Sequence, residues 1–229
     1  MRYELLKPEE YRAARDAAPI AYLPWGAHEW HGLHNPLGLD TLKVHGICLA
    51  LCQATGGIVF PPVYCGHQTM KPYAGFEATI EYSKECVQLL AKETLEQITD
   101  EGFRVIVLPM GHYGPLHVDA LNEVVNEFNA THEQAVVWAF PDYAPLKDEG
   151  IRGDHAAQTE TSYMLLFHPE SVDLSRLPEG GELDMFREGV DGVDPRGGNA
   201  SAEFGRNALE LLVKNAAPRI LSLLKSKTA

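Results

Sequence analysis

Phe103-Arg104-Val105-Ile106-Val107-Leu108 is a nearly unbroken β-branched and apolar run, and it passes directly into Pro109-Met110-Gly111-His112. A strand that is apolar at odd and even positions alike is one covered on both faces, as in a parallel sheet held between helical layers. Upstream of it, Ser83 is a good N-cap, and Val87, Leu90, Ala91, Leu95 and Ile98 mark one face of a helix that stops at Gly102. Downstream, a helix from about 116 to 130 is followed by a strand at 135–140, a helix near 159–167 and a last helix from about 202 to 224. Toward the N-terminus, Ile20 to Trp25 reads as a strand and 41–54 as a mostly buried helix ended by Gly56-Gly57. Ile58-Val59-Phe60 with Val63 reads as a second strand, and the intervening Pro61-Pro62 places it at a strand end or sheet edge. This alternation predicts an α/β fold of three layers, αβα, with a mostly parallel central sheet, in one domain over residues 1–229.

Composition narrows the function classes. The 229 residues are 45% hydrophobic, enough for one sizeable core. Asp and Glu number 32 against 19 Lys and Arg, a formal charge of −13, which disfavours a nucleic-acid partner. No window approaches the ~18 consecutive apolar residues of a membrane span. The N-terminus, MRYELLKPEEYRAARDAAP, lacks the apolar core of a secretory signal, so a cytoplasmic protein with no membrane partner is expected. Cys48, Cys52, Cys65 and Cys86 contain no CxxC pair and read as small buried residues. Between Pro169 and Asn199 the composition shifts to Gly, Pro, Glu and Asp, which predicts a long surface excursion of the kind that carries function.

Polar chemistry concentrates in three places. The first is Gly26-Ala27-His28-Glu29-Trp30-His31-Gly32-Leu33-His34-Asn35-Pro36-Leu37-Gly38-Leu39-Asp40, just after the first predicted strand. In extended chain, Glu29 and His31 point one way, His28 and Trp30 the other. Asp40 stands where the next helix begins and reads either as its N-cap or as a ligand. His28, His34 and His45 read as loop or packing residues. The second place is His112, at the C-terminal end of the central strand, where ligands of open α/β sheets gather. The third is Gly153-Asp154-His155-Ala156-Ala157-Gln158-Thr159-Glu160-Thr161-Ser162, in which Glu160 falls in a helix's first turn and serves equally as a capping carboxylate or a ligand. Taken together, Glu29, Asp40 and Glu160 with His31 and His112 form an oxygen and nitrogen donor set suited to zinc, manganese or cobalt. Two divalent ions against three carboxylates leave one positive charge, which a hydroxide neutralises, and an Asp using both oxygens can bridge ions roughly 3.5–4 Å apart.

The stretch LPWGAHEWHGLHNPLGLD resembles the signature of the creatininase (creatinine amidohydrolase) family, in which a Pro-x-Gly turn leads to Glu-x-His-Gly, then His, Pro and a later Asp. Pro61 to His67, Gly102-Phe103-Arg104 through His112, His155 with Glu160-Thr161-Ser162, and Gly192-Val193-Asp194-Pro195 with 200–205 resemble further family elements in the same order. The resemblance implies a creatininase-like fold and two divalent metal ions, zinc first, with manganese, cobalt or iron as the others. One ion is implied on Glu29, Asp40 and His112, the second on His31, Asp40 and a carboxylate. Creatininase proper takes that carboxylate from the turn where this chain has Gly114, and Glu160 is the replacement. Met110 and Tyr113-Gly114-Pro115 also depart from the family's usual turn, so a relative of creatininase is expected. His155 is implied as the proton carrier, its alternative being to orient Glu160 or Asp154, and Asp154 is a candidate to fix its tautomer. Backbone amides at Gly111 and Gly114 are candidates for steadying an oxyanion.

The resulting expectation is metal-assisted hydrolysis of a small molecule's C–N amide bond, cyclic or formamide, by a homo-oligomer such as a hexamer. Tyr73, Phe76, Tyr113, His67 and the 169–199 excursion are the candidates for binding substrate. Competing readings are hydrolysis of a cyclic keto-sugar at the same metals and a metal-free binding protein on the same fold. Serine catalysis is the weakest of these readings, because the sequence contains no Gly-x-Ser-x-Gly elbow.

Overall fold

The computed structural model describes residues 1–228. Its centre is β5 (Val105–Met110), buried at every position. β6 (Val136–Pro141) lies along one side of β5, in register from Val105 opposite Val136 to Met110 opposite Pro141. Along its other side run β1 (Ile20–Tyr22) and then β2 (Trp25–Gly26), the two halves of what the sequence presents as one strand. Outside these lie β3 (Ile58–Val59) and β4 (Val63–Tyr64), and every named pairing is parallel.

Prolines explain the divided strands. Ala21 faces Ile58 but Trp25 faces Val63, so the outer line carries one residue more, and Pro61-Pro62 stand where it is inserted. The expected edge position is therefore correct, with the run divided in two. Within β5, the Val107 carbonyl accepts from Leu23 N and Gly111 N donates to the Trp25 carbonyl. Pro109, between them, faces the break at Leu23-Pro24, so its missing N–H removes no rung of the ladder. The central strand starts and ends two residues later than the apolar run predicts, and it reaches Met110 because that residue still finds Trp25 as a partner beyond the break.

Side-chain alternation along β5 feeds two cores. Ile106, Leu108 and Met110 pack under α1 (Pro8–Ala17), α4 (Lys84–Asp100) and α5 (Pro115–Thr131). Val105 and Val107 pack under α2 (Leu39–Thr55), α6 (Gln158–Phe167) and α7 (Ala202–Thr228). The predicted αβα layering is thus present. Ser83 caps α4 by accepting from Cys86 N. Cys48, Cys52 and Cys65 are buried as expected, whereas Cys86 is exposed because it falls in the outward-facing first turn of α4. Trp138 stacks on Phe140 and carries Arg219 over its ring, a packing role. One short helix, α3 (Met70–Ala74), has no counterpart in the sequence reading: at five residues it is too short to show a period. The 169–199 stretch forms turns over a small apolar cluster that includes Leu177 and Val190.

Candidate metal centre

All the strands point their C-terminal ends the same way, so the loops after β2, β4, β5 and β6 meet with the first turns of α2 and α6 at one rim of the sheet. Glycine permits the approach. A Cβ on Gly111 would fall inside the van der Waals shell of the Asp40 carbonyl oxygen, and one on Gly26 would collide with Thr41. Both glycines let the start of α2 press on the sheet, which carries Asp40 to the side of His112. Gly111→Ala is therefore expected to cost about 2–4 kcal/mol of stability, read as a lowered urea midpoint, because backbone rather than a flexible side chain must move.

The structure gathers the five expected donors in one buried cluster. Glu29, His31, Asp40 and Glu160 are each at most 2% exposed and His112 is 5% exposed. Asp40 lies between the two imidazoles, with Oδ1 3.0 Å from His31 Nε2 and Oδ2 3.4 Å from His112 Nδ1. Glu29 Oε2 is 2.9 Å from His112 Nδ1, and Glu160 Oε2 is 3.5 Å from His31 Nε2. Glu29, Asp40 and His112 form one compact triad, and His31, Asp40 and Glu160 a second. Glu29, His31 and His155 form a third that the sequence does not announce; in each triad the donor atoms lie within 4.8 Å of one another.

Each imidazole is held by its outer nitrogen. His31 Nδ1 donates to the Glu29 carbonyl at 3.0 Å, and His112 Nε2 to the His67 carbonyl at 2.9 Å. In the neutral ring, the nitrogen left facing the carboxylates is a lone pair against lone pairs, which only a cation can relieve. Among the described residues, buried His31 Nε2 and Asp40 Oδ2 have no hydrogen-bond partner. The protonation balance has the same origin. Burial opposes charge on His31, yet Asp40, Glu160 and Glu29 outweigh it and push the ring up to about 9. His112 is likewise raised against its burial by Glu29 and Asp40. A cluster that draws protons this strongly is one that divalent cations fit.

Asp40 is not the N-cap of α2: Gly38 holds that position, and the Asp40 carboxylate turns into the cluster. Glu160 acts as a capping carboxylate, its Oε2 accepting from Ala156 N at 2.7 Å, while the same carboxylate lies in the donor cluster. Asp154 does not fix the tautomer of His155. Its carboxylate accepts from Thr159 N and Glu160 N at the head of α6, while His155 Nε2 is held by the Trp30 carbonyl at 2.9 Å. Gly111 N is committed to the sheet and so is not available to an oxyanion. His28 stacks on Tyr64, and His34 Nε2 lies 2.9 Å from the Ala156 carbonyl, both apart from the donor cluster.

A cavity of about 330 Å³ opens onto the cluster, and Glu29, Asp40, His112, Tyr113, His155 and Glu160 line its floor. The rest of its lining includes Gln68, Thr69, Met70 and Tyr73 from the α3 region, and Met185 and Asp191 from the excursion. Tyr73, about half exposed, lines the cavity and stacks on Phe186 at 5.2 Å, joining α3 to the excursion. Phe76 stacks on Trp30 behind that wall. His67 does not line the cavity: its Nδ1 lies 2.9 Å from the Tyr82 carbonyl, and only its backbone oxygen reaches the cluster, through His112.

Two residues here escape sequence reading. Lys43, 1% exposed, donates to Glu160 Oε1 at 2.6 Å and to the Gly111 carbonyl at 3.2 Å, and pairs with Asp142 Oδ2 at 2.9 Å. Asp142, just past β6, is pushed up to about 6 by its burial despite that lysine. The only advance signal is that Lys43 follows Asp40 by one helical turn in an otherwise apolar stretch.

Comparison with known proteins gives one family. A creatinine amidohydrolase of Pseudomonas putida is 26% identical over 241 residues, spanning 93% of each protein. A mycofactocin precursor peptide peptidase of Mycobacterium ulcerans is 29% identical over 226 residues, spanning 88% of this chain and 84% of that one. The crystal structure of a creatininase superposes with a TM-score of 0.78 at 25% identity, covering 96% of both chains. A manganese creatininase gives 0.75 at 26% identity, with the same coverage. The family model of creatinine amidohydrolase matches residues 4–220, and the chain belongs to the creatininase family of hydrolases.

Proposed function

We propose that the chain hydrolyses a C–N amide bond of a small molecule at a pair of divalent ions, zinc first, with manganese, cobalt or iron as the other candidates. The observation that carries the reading is the pair of buried triads sharing Asp40 at the floor of the cavity. Glu29, Asp40 and His112 would hold one ion, and His31, Asp40 and Glu160 the other. Ions bound there supply Lewis acidity and lower the pKa of a water toward neutrality. The backbone carbonyls behind His31 and His112 keep each ring's free nitrogen turned to the carboxylates. His155 lines the cavity with Nε2–H held by the Trp30 carbonyl, which leaves Nδ1 to take up a proton and return it to the leaving nitrogen. Tyr113 and Tyr73 shape the space above, with the Tyr113 hydroxyl within hydrogen-bonding reach of both the Asp154 carbonyl and Glu160 Oε1.

Both named relatives point to amide substrates, one a creatinine amidohydrolase and the other a peptide peptidase. The cavity lining includes no lysine or arginine, so a phosphorylated substrate would meet no side-chain cation there. The same reading takes the chain as one domain working as a homo-oligomer in the cytoplasm; no described helix is long and apolar enough to cross a membrane. Elemental analysis beside a panel of lactams, formamides and short peptides tests the proposal. Wild-type protein is expected to hold two ions per chain, to lose activity on chelation and to regain it with zinc or manganese, while Glu160→Gln holds one. No transition metal under any loading condition, or full occupancy in Glu160→Gln, overturns it.

A further inference from the structure

Lys43 is the one buried ammonium at the donor cluster, and the mechanism does not use it. It projects from α2 one turn after Asp40, so the helix that carries the residue shared by both triads also carries a fixed positive charge. That charge cannot reach water by extending, as surface lysines do. Glu160 Oε1 and the Gly111 carbonyl accept its protons, Asp142 Oδ2 lies at 2.9 Å, and the Tyr113 ring lies 4.8 Å away beneath it.

The consequence falls on one triad only. Glu160 Oε1 already faces the Lys43 ammonium and the Tyr113 hydroxyl, and Oε2 accepts from Ala156 N, so Glu160 offers the cluster little free electron density. Glu29 is different. Its Oε1 accepts from Met70 N at 2.5 Å, and its Oε2 faces His112, with no lysine or arginine among its partners in the described residues. The two triads share Asp40 and each has one imidazole, so the ammonium behind Glu160 is the main electrostatic difference between them.

Resting on the metal-centre reading above, we propose that Lys43 makes the two ion sites unequal: the Glu29–Asp40–His112 site fills first, and the His31–Asp40–Glu160 site binds its ion distinctly more weakly. Lys43 is a positioning residue here, acting on the second ion through Glu160. Asp142 moderates the effect, since it sets a negative charge against the far side of the ammonium.

Titration of chelator-stripped protein with zinc chloride, followed by calorimetry and by equilibrium dialysis with elemental analysis, tests this without an activity assay. Wild type should bind two ions in separate steps at least about tenfold apart, the scale on which groups behind a ligand alter metal affinity. Glu160→Gln should remove the weaker step alone. The paired replacement Lys43→Met with Asp142→Asn takes away the ammonium without leaving a buried carboxylate unpaired, and should bring the two steps together by about tenfold. Asp142→Asn by itself leaves the ammonium uncompensated and should drive the steps further apart. Opposite shifts from two variants of one ion pair are not what simple disruption of packing yields, and thermal melts of both variants check that each is folded. Two equal steps in wild type, or a Lys43→Met/Asp142→Asn protein whose steps stay apart or separate further, overturns the proposal alone. A wild-type protein that takes up no zinc overturns the metal-centre reading and this proposal with it.

Discussion

Asp40→Asn is expected to abolish retention of divalent metal and to slow hydrolysis by at least roughly a thousandfold. Asp40 is the residue that joins the Glu29–Asp40–His112 and His31–Asp40–Glu160 triads, with one carboxylate oxygen toward His31 and the other toward His112. An amide keeps the shape but removes a full charge. It also sets an N–H₂ against one of two imidazole nitrogens whose other sides are already fixed by backbone carbonyls. Lewis-acid stabilisation of developing charge is worth several kcal/mol, and about 4 kcal/mol corresponds to roughly a thousandfold in rate. Ion content by elemental analysis, read together with kcat/KM on whichever amide the panel identifies, checks the prediction. A variant that keeps both ions and its rate sinks the shared-ligand reading.

The second large effect separates chemistry from metal binding. His155→Asn should lower kcat by about 10²–10⁴-fold, the range for loss of a positioned proton carrier, while ion content stays at the wild-type value. The comparison is needed because His155 also groups with Glu29 and His31, and its ring stacks on His31 at 4.3 Å. Should the variant lose an ion, His155 is a ligand instead. Burial lowers its pKa, with the His31 charge adding to that and the nearby carboxylates opposing it, so the ring is mostly neutral near pH 7 and able to accept a proton.

The sheet and its helices were legible because burial writes itself into local composition. Val105 to Leu108 is apolar on both faces since both faces are covered, and α4 shows its period and its Ser83 cap within one short window. The division of β1 from β2 was not legible, because it depends on which neighbour Pro109 and Pro24 face. Among the candidate site residues, Glu29, His31 and Asp40 stand close in sequence, and His112 and Glu160 stand at element ends where a polar group is conspicuous. Lys43 and Asp142 were invisible for the opposite reason. A single lysine on a helix reads as a solvated side chain, and the carboxylate that receives it at 2.6 Å lies 117 residues away. His67 shows the converse error: its side chain was the candidate, whereas the structure uses its carbonyl.

The stack of Tyr73 on Phe186 joins two segments, the α3 turn and the 169–199 excursion, that supply none of the five clustered donors. Both segments nevertheless touch the cluster: Met70 of α3 donates its backbone N–H to Glu29 Oε1, and Asp191 of the excursion exchanges backbone hydrogen bonds with His155. A substitution in either segment that admits a different molecule is therefore expected to shift a reacting group as well, which ties the range of substrates accepted to the rate at which they are cleaved.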